Sequence, residues 1–227
     1  MDVSIADRLA KVRAEIADAC AAAERDPSEV HLVAVSKTHP PEMIRAAYAA
    51  GQRDFGENYA QELRDKARAL ADLADLRWHY IGRIQSNKAK YIAPAAVRIH
   101  AVDSVDHARA LVDRADGRPL GCLVSVNVAD EDTKGGVLAS TALDLCRALH
   151  AEPGVDLKGL MTMPPPTDDP EDAAPFFARL ADLAARGRAE GLPLTELSMG
   201  MSGDYPVAIR HGATWVRIGT AIFGARG

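Results

Sequence analysis

Cysteine is scarce in this sequence: there are three, Cys20, Cys122 and Cys146, widely spaced and odd in number. That spacing excludes a disulfide framework or a C-x-x-C metal site. Buried, reduced thiols in a cytoplasmic protein are the expected state. The seven histidines are scattered, without H-E-x-x-H or any paired ligand spacing, so no metal site is expected. Long hydrophobic runs are missing too. No stretch approaches the roughly 18 uninterrupted apolar residues of a membrane span, and Asp2, Asp7 and Arg8 interrupt the start where a signal peptide would be apolar. Nor is there an excess of positive charge: a net charge of -5 gives no electrostatic reason to expect nucleic acid or an anionic membrane as partner. The G-x-G-x-x-G and P-loop signatures are absent as well, which argues against a doubly wound open sheet.

What is present is an ordinary globular composition, 48% hydrophobic and 26% charged over 227 residues, enough for one large α/β barrel or two small domains. Ser4 reads as a helix cap, followed by Ile5, Leu9, Val12, Ile16 and Ala19 at helical spacing. Strand–helix alternation then sets in. Strands are predicted at Val30–Ser36, Arg53–Gly56, Arg77–Ile81, Val97–Val102, Leu120–Val128, Leu157–Met161, Thr195–Ser198 and Trp215–Ile218. Helices are predicted at Glu42–Ala50, Tyr59–Ala74, Ser86–Ile92, Val105–Arg114, Leu138–Ala151, Glu171–Glu190 and, briefly, Tyr205–Arg210. Eight mostly uninterrupted apolar strands fit a parallel sheet covered by helices. The chain is just long enough to close as an α/β fold of the (β/α)8 TIM barrel type with an extra N-terminal helix. No linker marks a second domain, so residues 1–227 are read as one.

In a barrel the residues that follow each strand build the functional mouth. After the first strand comes Lys37, a long stem with a charged head that is an odd way to finish a buried strand. A desolvated lysine there can lose its proton and act as a nucleophile; a surface lysine that merely follows a strand is the plainer alternative. Strand parity turns Val33, Val35 and Lys37 inward and Ala34 and Ser36 toward the helices, and an inward Arg217 leaves Val216 and Ile218 for the helix layer. The fifth strand leads to Asp132-Thr133-Lys134, and the seventh into Ser198-Met199-Gly200-Met201-Ser202-Gly203 before a short helix. The eighth ends in Gly219-Thr220. Barrels often bind phosphate between these last two loops; Ser202 as a simple helix cap is the alternative. A lysine, an arginine and a phosphate cradle in one mouth suit a phosphorylated, ring-bearing carbonyl compound.

Several stretches make the chain recognisable: Leu32-Val33-Ala34-Val35-Ser36-Lys37, Phe55-Gly56-Glu57-Asn58-Tyr59, and Trp78-His79-Tyr80-Ile81-Gly82-Arg83-Ile84-Gln85-Ser86-Asn87-Lys88. Lys158-Gly159-Leu160-Met161, Ser198-Met199-Gly200-Met201-Ser202 and Val216-Arg217-Ile218-Gly219-Thr220 through Ile222-Phe223-Gly224 complete the set. With these the chain resembles the pyridoxal phosphate homeostasis protein family, single-domain relatives of the alanine racemase N-terminal barrel. The resemblance implies pyridoxal 5'-phosphate as cofactor, held on Lys37 as a Schiff base, with Arg217 facing the pyridine nitrogen. It implies Ser198, Ser202, Gly219 and Thr220 around the phosphate, and Asn58 and His79 lining the ring pocket. An arginine at the pyridine nitrogen weakens the ring as an electron sink. The racemases resembled add a second acid/base, a tyrosine on a further β-domain, and no such domain is read in this sequence. The expectation is therefore a non-catalytic, cytoplasmic, monomeric carrier that buffers or delivers vitamin B6 and touches pyridoxal phosphate-dependent apo-enzymes only transiently. An amino-acid racemase using Tyr59 or Tyr205 is the first alternative, and a cofactor-free Schiff-base aldolase the second.

Overall fold

The computed structural model describes residues 3–130 and 135–224; Asp132-Thr133-Lys134 lies outside them. Its strands are β1 (His31–Val35), β2 (Asp54–Glu57), β3 (Arg77–Tyr80), β4 (Ala96–Val102), β5 (Leu120–Asn127), β6 (Val137–Leu138), β7 (Val155–Met161), β8 (Glu196–Ser198) and β9 (Trp215–Ile218). All pairings are parallel, and β1 bonds to both β2 and β9 while β4 bonds to β5, so eight strands form a closed barrel. The ninth, β6, pairs with β5 alongside that circuit. Each of the eight expected strands is present, within about two residues of its predicted limits.

The helices are α1 (Ile5–Ala22), α2 (Pro41–Ala49), α3 (Ala60–Ala69), α4 (Ala89–Ile92), α5 (Val105–Val112), α6 (Ala142–His150), α7 (Ala174–Ala189), α8 (Tyr205–Arg210) and α9 (Thr220–Phe223). α4 and α7 begin three residues later than expected, after 3-10 turns at Ser86–Lys88 and Pro170–Ala173, and α9 was not expected. Two others differ from the sequence pattern by four residues or more, for local reasons. The helix expected from Leu138 begins at Ala142, because Val137 and Leu138 are drawn out beside β5. The helix expected to reach Ala74 stops at Ala69, where Leu70 leaves helical geometry and buries itself. No helix among the described residues is long and apolar enough to cross a membrane.

The N-terminal helix is part of the wall. Ser4 caps it by accepting the Asp7 amide at 3.1 Å, and Leu9, Val12, Ile16 and Cys20 form its buried stripe. That stripe packs against α2, α8 and α9. Polar ties reinforce the seat: Arg25 donates to the carbonyls of Ile209 and Ala213, both at 2.8 Å, and the Tyr205 hydroxyl donates to Glu15 at 2.6 Å.

The strands divide their side chains as parity requires. Ala34, Val216 and Ile218 join the large apolar layer between sheet and helices. Inside the barrel, Ala101, Leu123 and Met161 form a cluster separate from that layer, and Val33, Val35 and Ile81 surround the inward Gly56. The lower interior is polar and aromatic instead. Arg77 binds Asp54 through two bonds of 2.6–2.7 Å, Arg98 binds Glu196 at 2.6 Å, and the Trp215 indole donates to Glu196 at 2.8 Å.

Behind the mouth, on the helix side of β1 and β2, sits a buried ionic cluster. Lys66 of α3 donates to the Ser36 carbonyl at 2.8 Å, to Glu57 at 2.8 Å and to Glu62 at 2.9 Å. The Ser36 hydroxyl also donates to Glu57, at 2.7 Å, while the second carboxylate oxygen of Glu57 is buried without a partner. Burial pushes the Glu57 carboxyl up to about 7 against the pull of Lys66. A carboxyl raised on folding stabilises the fold through its bound proton. That contribution is complete below the ordinary value near 4.5 and is lost as the pH rises through 7. Glu57→Gln should therefore flatten the decline of unfolding free energy between pH 5 and 7.5 by about 2–3 kcal/mol. Urea titrations of both proteins at the two pH values check this, and equal declines would refute it.

Candidate functional site

Lys37 enters the mouth two residues beyond β1, and its backbone is held on both sides. Ser36 is fixed from below by Lys66 and Glu57. On the other side the Thr38 amide donates to Glu62 at 2.9 Å, and Thr38 itself adopts a left-handed φ of 67°. Non-glycine residues rarely adopt this conformation without local support; here the Glu62 carboxylate supplies it. The polar pattern Glu57-Asn58 after β2, unexplained by a core role, thus does two jobs: Glu57 anchors the lysine loop and Asn58 faces the mouth.

A cleft of about 240 Å³ opens above the barrel, lined by Lys37, Asn58, Ser202, Arg217, Gly219 and Thr220 together with Val35, His39, Ile81, Met163, Met201, Gly203 and Gly224. It lies just under the usual range of small-molecule sites, about 300–1,000 Å³, and suits a single ring better than a dinucleotide. Two close approaches shape it. Gly82 lies so near the Asn58 backbone that a Cβ would fall 1.9 Å from the Asn58 carbonyl oxygen, and one on Gly219 would fall 3.0 Å from that of Val35. Side chains at either position would displace the lining. A second cavity of about 270 Å³ adjoins the cleft through Ile81, Met163 and Met201, and runs over β4, β5 and β7.

Arg217 is the buried charge of the site, 3% exposed. It donates to the Ser198 hydroxyl at 2.6 Å and to the Thr162 carbonyl at 2.9 Å, both neutral groups. Burial lowers its guanidinium to about 10, with Asp204 opposing the shift, so it stays charged at neutral pH. A guanidinium only donates, and Arg217 has donors beyond these two bonds with which to face the cleft.

Six of the eight residues expected from the sequence therefore meet in one place. His79 and Ser198 do not. His79 is 1% exposed and pairs in register with Gly56, a layer below the mouth; Ile81, two positions on and of the same parity, is the β3 side chain that reaches the cleft. Ser198 is fully buried beneath Arg217, with its hydroxyl engaged by Arg217 and His100. The resemblance implied both, and the height along the barrel axis was not available from the sequence pattern. His39, stacked on Phe223 at 5.2 Å between ring centroids, and the two methionines were missed. His39 lies in the turn after β1, beyond the left-handed Thr38, where strand alternation no longer applies and gives no signal.

Neither tyrosine weighed as a second acid/base lines the cleft. Tyr59 is exposed, and Tyr205 is 4% exposed with its hydroxyl given to Glu15. Burial, with the Glu15 bond, raises the Tyr205 phenol further above its ordinary value. Among the described residues, no group of three or more histidine, cysteine or acidic side chains is placed to hold a metal ion. All three cysteines are free and buried.

Comparison with known proteins agrees with this geometry. Residues 8–227 match the family described as alanine racemase, N-terminal domain. A protein of Pseudomonas aeruginosa named pyridoxal phosphate homeostasis protein is 47% identical over 98% of this chain and 96% of its own, and one of the same name from Aquifex aeolicus is 44% identical over 97% of each. A solved structure of PipY from Synechococcus elongatus, with pyridoxal phosphate bound, superposes with a TM-score of 0.84 at 40% identity, covering 97% of this chain and all of PipY. The chain belongs to the pyridoxal phosphate homeostasis protein family, built on the barrel of the alanine racemase N-terminal domain.

Proposed function

We propose that this protein binds pyridoxal 5'-phosphate in the mouth cleft, holds it on Lys37 as a Schiff base, and serves as a carrier that buffers or delivers vitamin B6 without catalytic turnover. The observation that carries this reading is the convergence of one amine, one buried guanidinium and two hydroxyl-bearing glycine loops on a single cleft. The residues suit the group. Lys37 offers a primary amine to an aldehyde, and Arg217 offers donors to a ring nitrogen that can accept. Gly219 and Thr220 stand where α9 begins, and first-turn amides there favour a phosphate; Ser202 and Gly203 stand in the loop before α8, whose own first amide, Tyr205, is bound to the Met201 carbonyl. When bound, the cofactor supplies an aldehyde that joins amines reversibly.

What the chain's own groups do follows from their chemistry. A donor that cannot lose its proton at neutral pH leaves the ring nitrogen unprotonated and the ring a poor electron sink. Among the described residues, no tyrosine lines the cleft to exchange a proton on the far side of a bound amino acid. The names of the P. aeruginosa and A. aeolicus relatives agree with a role in supply rather than conversion. An open cleft bordered by exposed Met163, Met201 and Ser202 leaves a route for the cofactor to another protein's lysine.

Three outcomes are expected. The protein loaded with pyridoxal phosphate and treated with borohydride should carry the reduced adduct on Lys37 by peptide mapping, and Lys37→Ala should lose it while unfolding at an unchanged denaturant midpoint. An adduct mainly on another lysine would contradict the assignment. Each charge-assisted hydrogen bond to phosphate contributes about 1.5–3 kcal/mol, so unphosphorylated pyridoxal should bind at least about 100-fold more weakly. Ser202→Ala should narrow that gap; equal affinities in equilibrium dialysis would remove the cradle. Finally, the loaded protein incubated with L-alanine in deuterium oxide should leave the α-hydrogen in place, and sustained exchange seen by proton NMR would restore the racemase reading.

A further inference from the structure

Arg217 has no carboxylate among its hydrogen-bond partners in the described residues, yet a file of polar side chains runs from it down the barrel axis to one. The Arg217 Nη1 lies 2.6 Å from Ser198 Oγ, Ser198 Oγ lies 2.7 Å from His100 Nδ1, and His100 Nε2 lies 2.9 Å from His79 Nδ1. His79 Nε2 then lies 2.9 Å from Asp54 Oδ1, and Asp54 is bound by Arg77 at the base. Ser198 and His100 are 0% exposed and His79 1%, so water does not compete for these bonds. Both rings also pack against Trp215, at 4.9 and 6.1 Å between centroids, which fixes their planes.

With both rings neutral, the carboxylate end determines the direction of every bond in the file. A guanidinium can only donate, so Ser198 accepts from Arg217 and has its own proton to give to His100 Nδ1. His100 then carries its hydrogen on Nε2 and donates to His79 Nδ1, and His79 carries its hydrogen on Nε2 and donates to Asp54, which only accepts when ionised. The charge states agree with that order. Burial lowers His79 despite the opposing pull of Asp54, and lowers His100 well below its usual value with His79, Arg217 and Arg98 adding to the effect. Asp54, although burial pushes it up, is held well below the ordinary carboxylate range by the bonds from Arg77 and His79.

We propose that Ser198, His100, His79 and Asp54 are positioning residues for Arg217: a one-way hydrogen-bond file, anchored on a carboxylate at the base of the barrel, that holds the guanidinium against the cofactor's ring nitrogen. The inference rests on the reading of Arg217 as the residue that faces that nitrogen. It gives the buried His79 and Ser198 a role although neither side chain reaches the cleft. It also makes a site at the mouth depend on an ion pair at the opposite end of the fold.

The test has two independent parts. In the cofactor-free protein, nitrogen-15 spectra of the imidazole rings should show His79 and His100 both neutral with hydrogen on Nε2. A charged ring, or hydrogen on Nδ1 of either, overturns the file whatever binds in the mouth. Ser198→Ala should disturb the His100 signals and weaken pyridoxal phosphate about tenfold, the equivalent of one charged hydrogen bond at the lower end of its range, and Ser198→Thr should restore both. The same variants are then measured with the carbocyclic analogue in which C–H replaces the ring nitrogen. Its affinity should be the same for wild type and Ser198→Ala, because the file acts through that nitrogen. If wild type binds the analogue as tightly as the cofactor, the placement of Arg217 at the ring nitrogen fails while the tautomer result stands. If Ser198→Ala weakens both ligands equally, Ser198 acts on the shape of the mouth and the positioning role is refuted.

Discussion

Burying a guanidinium inside the barrel is the constraint on which the rest of this structure depends. An isolated charge in that position would be prohibitively costly, and the interior is built accordingly. Where most barrels of this type fill their centre with branched aliphatic side chains, this one keeps some, Val33, Val35, Leu123 and Met161 among them, but gives much of its interior to the hydrogen-bonding groups Asp54, His79, His100, Ser198 and Arg217. Arg217 meets neutral oxygens directly and a carboxylate only at a distance, which leaves it charged but not saturated. A saturated arginine would have nothing to offer a ligand.

The second ionic cluster, Glu57 with Lys66 and Glu62, works on the helix side of β1 and β2. It does not enter the cleft. It grips the peptide on either side of Lys37, so that a long and flexible side chain starts from a fixed point. The two clusters share a logic: charge placed out of solvent restricts where a functional side chain can be, at a cost in stability that a purely apolar packing would avoid. The raised carboxyl of Glu57 and its unpartnered oxygen are the visible sign of that cost.

Much of this was legible before any coordinates. Alternation along β1 and β9 assigned the inward faces of Val33, Val35 and Arg217, because parity needs only the strand direction. The mouth residues Lys37, Ser202, Gly219 and Thr220 followed from their places after strands. Height along the axis was not legible: whether His79 or Ile81 reaches the mouth depends on strand stagger, which pairing sets and sequence does not display. The two-residue strand Val137–Leu138 was equally hidden, since two residues carry no period. The histidine file lay beyond reach for a further reason. His79 and His100 come from paired strands but Ser198 from β8, and only closure of the barrel brings it to them.

The seat of α1 has a consequence for how the protein is made. Its buried stripe and its polar ties are completed by α8, α9 and the loop after α8, at sequence separations of 184 to 190 residues for the Arg25 and Tyr205 bonds. During synthesis at about 5–20 residues per second, the first helix therefore waits on the order of 10–40 s for its partners. Most of the stability of an amphipathic helix such as α1 comes from the packing of its apolar face. Throughout that interval Leu9, Val12 and Ile16 have no finished wall to cover, and the first strand lacks its β9 neighbour. The barrel thus cannot be assembled stave by stave from the ribosome; its first and last segments close it together, and the nascent chain must stay soluble with both edges open until they do.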